Sequence, residues 1–160
     1  MSTISDVRQA LKTYIDCYRR PDLPPLELSQ LYDLGTGSEI PPEDIGSKWP
    51  DPWPNGWSKG VYFIFGSSGS LLYVGKASLN QGIGSRLGAW FQYENDEARS
   101  CKVVHPNWSE SPRYVMTLPV TDEMSFEAPA LEEYFIRTLH PTDNTIGRQG
   151  DTGANTSISP

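Results

Sequence analysis

Apolar residues recur at spacings of three and four from Ile4 through Val7, Leu11, Tyr14, Ile15 and Tyr18, the period of an amphipathic helix with one buried stripe. Arg19, Arg20 and Pro21 then form a stop, because proline cannot continue the helical hydrogen-bond ladder. Beyond it the pattern breaks. Pro21, Pro24, Pro25, Pro41, Pro42, Pro50, Pro52 and Pro54 interrupt residues 21–58, with Trp49, Trp53 and Trp57 among them, so regular structure there is expected to be short. One short helix is expected around Leu26–Leu34. Disordered linkers are poor in aromatics, so this stretch reads as an arm packed over a domain.

Two β-rich runs follow, Gly60-Val61-Tyr62-Phe63-Ile64-Phe65-Gly66 and Leu71-Leu72-Tyr73-Val74-Gly75, joined by Ser67-Ser68-Gly69-Ser70. This is a hairpin signal. Ile83 to Tyr93 reads as a helix, Arg113 to Leu118 as a strand, and Phe126 to Leu139 as a second long helix that stops before Pro141. The expected fold class is α+β, a small three-stranded antiparallel sheet flanked by helices. Residues 1–58 would form an N-terminal helix and Pro/Trp-rich extension, 59–148 the domain, and 149–160, rich in small polar residues, a flexible tail.

Composition narrows the class. A chain of 160 residues, 37% of them hydrophobic, can bury one core and carry an extension. The longest apolar runs are far too short to span a bilayer, and the start Met-Ser-Thr-Ile-Ser-Asp-Val-Arg lacks the apolar region of a signal peptide. A soluble, cytoplasmic protein with no membrane partner is therefore expected. Cys17 and Cys101 are too few for a disulfide framework, although one bridge stays open.

A net charge of -7 runs against nucleic-acid binding, which draws on clustered Lys and Arg. Its distribution softens the objection. Residues 1–58 carry 5 basic and 9 acidic side chains, residues 59–113 carry 6 and 4, and residues 114–160 carry 2 and 7. The one basic stretch is the one that holds the hairpin.

If the hairpin turns about Ser68-Gly69, Ile64 faces Tyr73 and Tyr62 faces Gly75, which puts Tyr62 and Tyr73 on one side, on a diagonal of roughly 7–8 Å. Tyrosines also pack well in strands with no chemical role. The helix ending at Leu139 gives a sharper signal. Glu133 precedes Arg137 by four residues and suits an exposed ion pair. Glu132 precedes Phe135, Ile136 and Leu139 by three, four and seven, so its carboxylate lies beside the buried stripe. It either bends to solvent at the rim or meets a cation, an arginine or a hydrogen-bond network.

Gly60-Val61-Tyr62 and Tyr73-Val74-Gly75, followed by Lys76, a helical Arg86, and then Glu132 with Ile136, Pro141 and Asn144, resemble in order and spacing the GIY-YIG nuclease family, in particular the nucleotide-excision-repair type. The resemblance covers roughly Lys59 to Thr145. It implies hydrolysis of DNA phosphodiester bonds, with RNA not excluded, by one Mg²⁺ or Mn²⁺ held by Glu132, with Arg86 stabilising phosphate charge. Tyr62 or Tyr73 would take a proton from the attacking water, helped by the nearby charge of Lys76, and Asn144 would orient the tyrosine or the backbone. One position departs from the pattern: four residues after the arginine many members carry tyrosine or histidine, and here stands Trp90, an indole that donates a hydrogen bond but accepts no proton. Its presence and the acidic charge suggest the alternative of a catalytically weak domain that binds nucleic acid or protein.

Other signals are weaker. Cys17, Cys101, His105 and His140 lack the paired spacing of a zinc site, and Gly82, Gly84 and Gly88 read as turn and packing residues rather than a phosphate loop. Trp49, Trp53 and Trp57 could stack on bases, but burial against the domain is the preferred reading. A single-site enzyme must act twice or form a homodimer to cut both strands, and the Ile4–Tyr18 helix is either a dimer surface or a helix packed on its own domain.

Overall fold

The computed structural model describes residues 1–35, 45–48, 53–95 and 100–145. Trp49 and the tail from 149 onward lie outside them.

The first helix, α1 (Ile4–Tyr18), begins where the Asp6 carboxylate accepts hydrogen bonds from the backbone N–H and hydroxyl of Thr3, at 2.7 and 2.8 Å. It ends at Arg19, whose backbone is extended. The side chain of Arg19 then turns onto Glu127, with Nε donating to Oε1 at 2.7 Å and Nη2 to Oε2 at 3.1 Å, both side chains being buried. Glu127 opens α3 (Glu127–Leu139), so this pair fastens the two helices together. With Val7, Ala10 and Leu11 buried in the core, the apolar stripe of α1 packs on its own domain and is not a free dimer surface.

The main sheet contains β1 (Leu31–Asp33), β2 (Ile45–Lys48), β3 (Lys59–Gly66), β4 (Leu71–Ala77) and β7 (Pro112–Val120) in the order β2-β1-β7-β3-β4. Its antiparallel part has four strands, β1-β7-β3-β4, and β2 lies parallel to β1. The three-strand expectation is thus corrected. The extra antiparallel strand is Leu31–Asp33, where a helix was expected around Leu26–Leu34. Tyr32 pairs with Val115 and Asp33 with Tyr114, and the buried Asp33 carboxylate faces the Arg113 guanidinium at 3.5 Å. Pairing with a strand about eighty residues away overrides the local period.

The pleat of the sheet divides the core. Val61, Phe63, Phe65, Val74, Met116 and Leu118 pack with α1 and α3. Tyr62, Ile64, Ala77 and Val115 face the other way, onto α2 (Ile83–Trp90) and the hairpin β5 (Phe91–Asn95) and β6 (Ser100–Val103). The helix expected over Ile83–Tyr93 therefore stops at Trp90, and the chain from Phe91 enters a strand paired with β6. Gly60, at φ +144, lies against β7 so closely that a Cβ would stand 2.1 Å from the Leu118 carbonyl oxygen.

The outer edge of β4 is covered after α3 ends. His140 adopts the left-handed conformation of a helix C-cap, and the next residues run along the strand. Thr142 and Asp143 donate their N–H groups to the carbonyls of Leu71 and Leu72 at 3.3 and 2.8 Å. Unpaired edge groups are thereby satisfied. Among the described residues no helix is long and apolar enough to cross a membrane.

Candidate active site

The β3–β4 register is the expected one: Ile64 opposes Tyr73 and Tyr62 opposes Gly75, with an irregularity only beyond Ile64. Both phenols consequently project from one face of the sheet, their rings stacked at 30° with centroids 6.2 Å apart. Gly75 makes room for them. A Cβ there would stand 2.4 Å from the Tyr62 hydroxyl and 2.7 Å from Cε1 of Tyr73.

Helix α2 brings two further groups to the phenols. Trp90 donates its indole N–H to the Tyr62 hydroxyl at 3.1 Å and lies 5.2 Å from the Tyr73 ring. The guanidinium of Arg86 acts on both phenols, and its Nε is buried without a hydrogen-bond partner. The start of α2 is fixed by the loop before β3, since Ile83 and Gly84 donate their N–H groups to the carbonyls of Ser58 and Gly56, each at 2.9 Å. Gly82 and Gly84 are packing residues here, as expected. Trp53 packs beside Phe91, whereas Trp57, expected to be buried, is 91% exposed.

Glu132 reaches the site from α3. Its carboxylate accepts the backbone N–H of Lys76 at 3.1 Å on Oε1 and pairs with the Lys76 ammonium on Oε2, and its side chain is only 19% exposed. The hydrogen-bond network that a carboxylate beside an apolar stripe requires is therefore supplied by one lysine. Glu133, by contrast, is exposed and pairs with Arg137 at 3.3 Å, the surface role expected of it. Asn144 is buried and clasps Val74 from both sides, accepting its N–H and donating to its carbonyl, each at 2.8 Å. It holds the backbone between Tyr73 and Gly75 rather than touching either phenol.

Both phenols titrate above the ordinary tyrosine value. Burial raises Tyr62, and the Trp90 hydrogen bond and the Arg86 charge work against that rise. Burial pushes Tyr73 up to about 12, with the neighbouring Tyr62 and Glu132 adding to it. The expectation that Lys76 lowers a tyrosine is corrected: its ammonium sits on Glu132, and desolvation dominates both hydroxyls. The charge of Glu132 bears on both phenols, so Tyr62, Tyr73, Arg86, Glu132 and Lys76 occupy one neighbourhood, with Asn144 behind it.

A cation at Glu132 would share the carboxylate with the Lys76 ammonium and would have to bring its own ligands. Each oxygen holds one donor from Lys76 and keeps a free lone pair, which suits Mg²⁺, an ion that retains most of its waters. A cage of protein ligands is another matter: among the described residues no three His, Cys, Asp or Glu side chains stand together. Cys17 is exposed and Cys101 buried, and no disulfide joins them.

The sequence pattern misses Trp108, Asn107 and Asp143 and offers His105 only as a zinc ligand; together they surround an opening beside Tyr73. Nothing in the period of the loop that carries His105, Asn107 and Trp108 marks it as different from ordinary surface. No protein-family model matches the chain, and neither a curated protein nor a solved structure matches it.

Proposed function

We propose that this chain is a nuclease of the GIY-YIG type that hydrolyses DNA phosphodiester bonds with a divalent metal, Mg²⁺ or Mn²⁺. The reading rests on one observation above the rest: Tyr62 and Tyr73 stack over Gly75, and the charges of Arg86 and Glu132 act on the same two hydroxyls.

The two phenols divide the work. Burial raises Tyr62, but Trp90 and Arg86 oppose that rise, so of the two phenols Tyr62 is assigned as the general base that accepts a proton from the attacking water. Tyr73, held neutral with a pKa of about 12, serves as a hydrogen-bond donor to the water or to a phosphate oxygen. As the water oxygen bonds to phosphorus, the ester P–O bond on the opposite side breaks and negative charge gathers on the phosphate oxygens. The Arg86 guanidinium stabilises that charge. Glu132 would hold the metal, which supplies Lewis-acid stabilisation of the phosphate and the leaving oxygen. Lys76 anchors the Glu132 carboxylate through its backbone N–H, and Asn144 fixes the strand that carries Tyr73.

The alternative of a binding module also has an observation in its favour. Lys76 already neutralises Glu132, and both phenols are protonated at neutral pH. A plasmid-nicking assay separates the readings. Cleavage that requires Mg²⁺ and disappears in Glu132→Ala supports the nuclease; DNA binding with no cleavage under any divalent metal supports the module.

A further inference from the structure

Beside Tyr73 lies a pocket of about 240 Å³ lined by Tyr73, Trp90, His105, Asn107, Trp108 and Asp143. Four of these carry aromatic rings. Trp90 is 5.2 Å from Tyr73, 5.2 Å from Trp108 and 5.0 Å from His105, centroid to centroid, and Tyr73 and Trp108 meet edge to face at 6.1 Å. The rings of Tyr73, Trp90 and Trp108 are half-buried, packed against the core on one side and open to the pocket on the other. Two polar groups complete the lining. Asn107 offers an amide that both donates and accepts, and Asp143 has its carboxylate steadied by the N–H and hydroxyl of Ser109 at 3.3 and 3.1 Å.

From this lining we infer that the pocket receives one unpaired nucleobase, that of a nucleotide flanking the cleaved phosphate. The inference rests on the nuclease reading and adds the form of its substrate. Aromatic walls take the face of any base, since every base has a π surface. The negative charge of Asp143 turns phosphate away from this opening and leaves phosphate to Arg86. A carboxylate and an amide at the rim suit the exocyclic amino group of adenine or cytosine. Tyr73 belongs both to the pocket and to the phenol pair, so a base seated here places its own phosphate beside Tyr62. Bases inside a stacked duplex have both faces covered. The substrate therefore presents an extruded, mismatched or single-stranded nucleotide.

The test uses the full chain carrying Glu132→Ala, which prevents turnover, titrated with a duplex bearing one unpaired adenosine and with the same duplex bearing an abasic residue at that position. The unpaired base is expected to quench indole emission and to bind about 5- to 150-fold tighter than the abasic duplex, the range that one base stacked on aromatic side chains provides. Trp108→Ala collapses that difference, and Trp108→Phe, which keeps a ring, restores part of it. His105→Ala, a change at an exposed side chain, reduces the same difference where Trp108→Ala perturbs the fold. Equal affinity for both duplexes with unchanged emission overturns the pocket, and metal-dependent nicking by the unaltered chain then leaves the nuclease reading standing. Absence of both binding and nicking overturns the two together.

Discussion

The hydroxyl of Tyr62 lies over Gly75, where a single added carbon would approach it to 2.4 Å. The glycine that closes Tyr73-Val74-Gly75 is thus required by the side chains above it and not by the backbone of its own strand. Only a bare Cα leaves two phenols space to stack across the diagonal of a hairpin.

Gly75→Ala should separate those phenols. Overpacking of this kind costs about 1–3 kcal/mol, seen as a lower midpoint in urea. Loss of a positioned base should slow nicking by about 100-fold or more. Gly88→Ala is the matched control. A Cβ there meets nothing within 4 Å, so it should gain about 1 kcal/mol of helix stability and leave nicking unchanged. A Gly75→Ala protein that nicks at the unaltered rate would show that the two rings need not meet.

Activity should climb with pH. The folded pKa of Tyr62 is raised, so at neutrality the phenolate is the minor form and its fraction grows about tenfold per pH unit. Log kcat/KM is expected to rise with a slope approaching one from about pH 7 to about pH 9. Because the Arg86 charge holds the Tyr62 pKa down, Arg86→Met should shift the rise to higher pH as well as lower the rate. A profile that is flat or falling across that range contradicts the assignment of Tyr62 as base.

The buried pair between α1 and α3 gives a stability prediction independent of catalysis. Arg19→Met strands the Glu127 carboxylate with only Tyr14, 3.3 Å away, and should cost about 3–5 kcal/mol in denaturant unfolding. Arg19→Met combined with Glu127→Leu removes both charges and should recover most of that loss. If the double variant is no more stable than the single one, an uncompensated charge is not what the single change creates.

Glu110 links stability to acid pH. Burial opposes its ionisation, but hydrogen bonds from Ser70, Ser68 and Ser67 around the β3–β4 turn outweigh burial and hold the carboxyl below its ordinary value of 4.5. A depressed folded pKa adds stability above the unfolded value, and that stability is lost as pH falls through the folded one. Glu110→Gln should therefore be less stable than the unaltered protein at pH 7, with the gap narrowing below about pH 4.5. A gap that stays constant down to pH 3 would rule out this carboxylate as the linked group.

Much of the site was readable from local rules. The pairing of Tyr62 with Gly75 and Ile64 with Tyr73 is the one expected of a turn about Ser68-Gly69, although an irregularity between Ile64 and Phe65 offsets the odd five-residue connection that closes the hairpin. A helix period places Glu132 at the margin of a buried stripe. The same rules separated Glu132 from Glu133 correctly. They failed where distant chain decides. Leu31–Asp33 becomes a strand because β7 is there to receive it, and Phe91 leaves the helix because β6 pairs with it. Spacing also could not tell which acid Lys76 would meet, or that burial would carry both phenols upward. Trp90 had read as a departure that weakens a proton relay, yet in the fold it is a donor aimed at Tyr62.

The most direct measurement compares Mg²⁺-dependent plasmid nicking by Glu132→Gln and Glu133→Gln. The two changes are chemically identical, adjacent in sequence and opposite in setting, one at the phenol pair and one on the exposed face beside Arg137. Nicking should fall to background in Glu132→Gln and persist in Glu133→Gln, with both proteins folded by circular dichroism. Equal rates in the two, or no nicking by the unaltered chain with either Mg²⁺ or Mn²⁺, would contradict the catalytic role of this site.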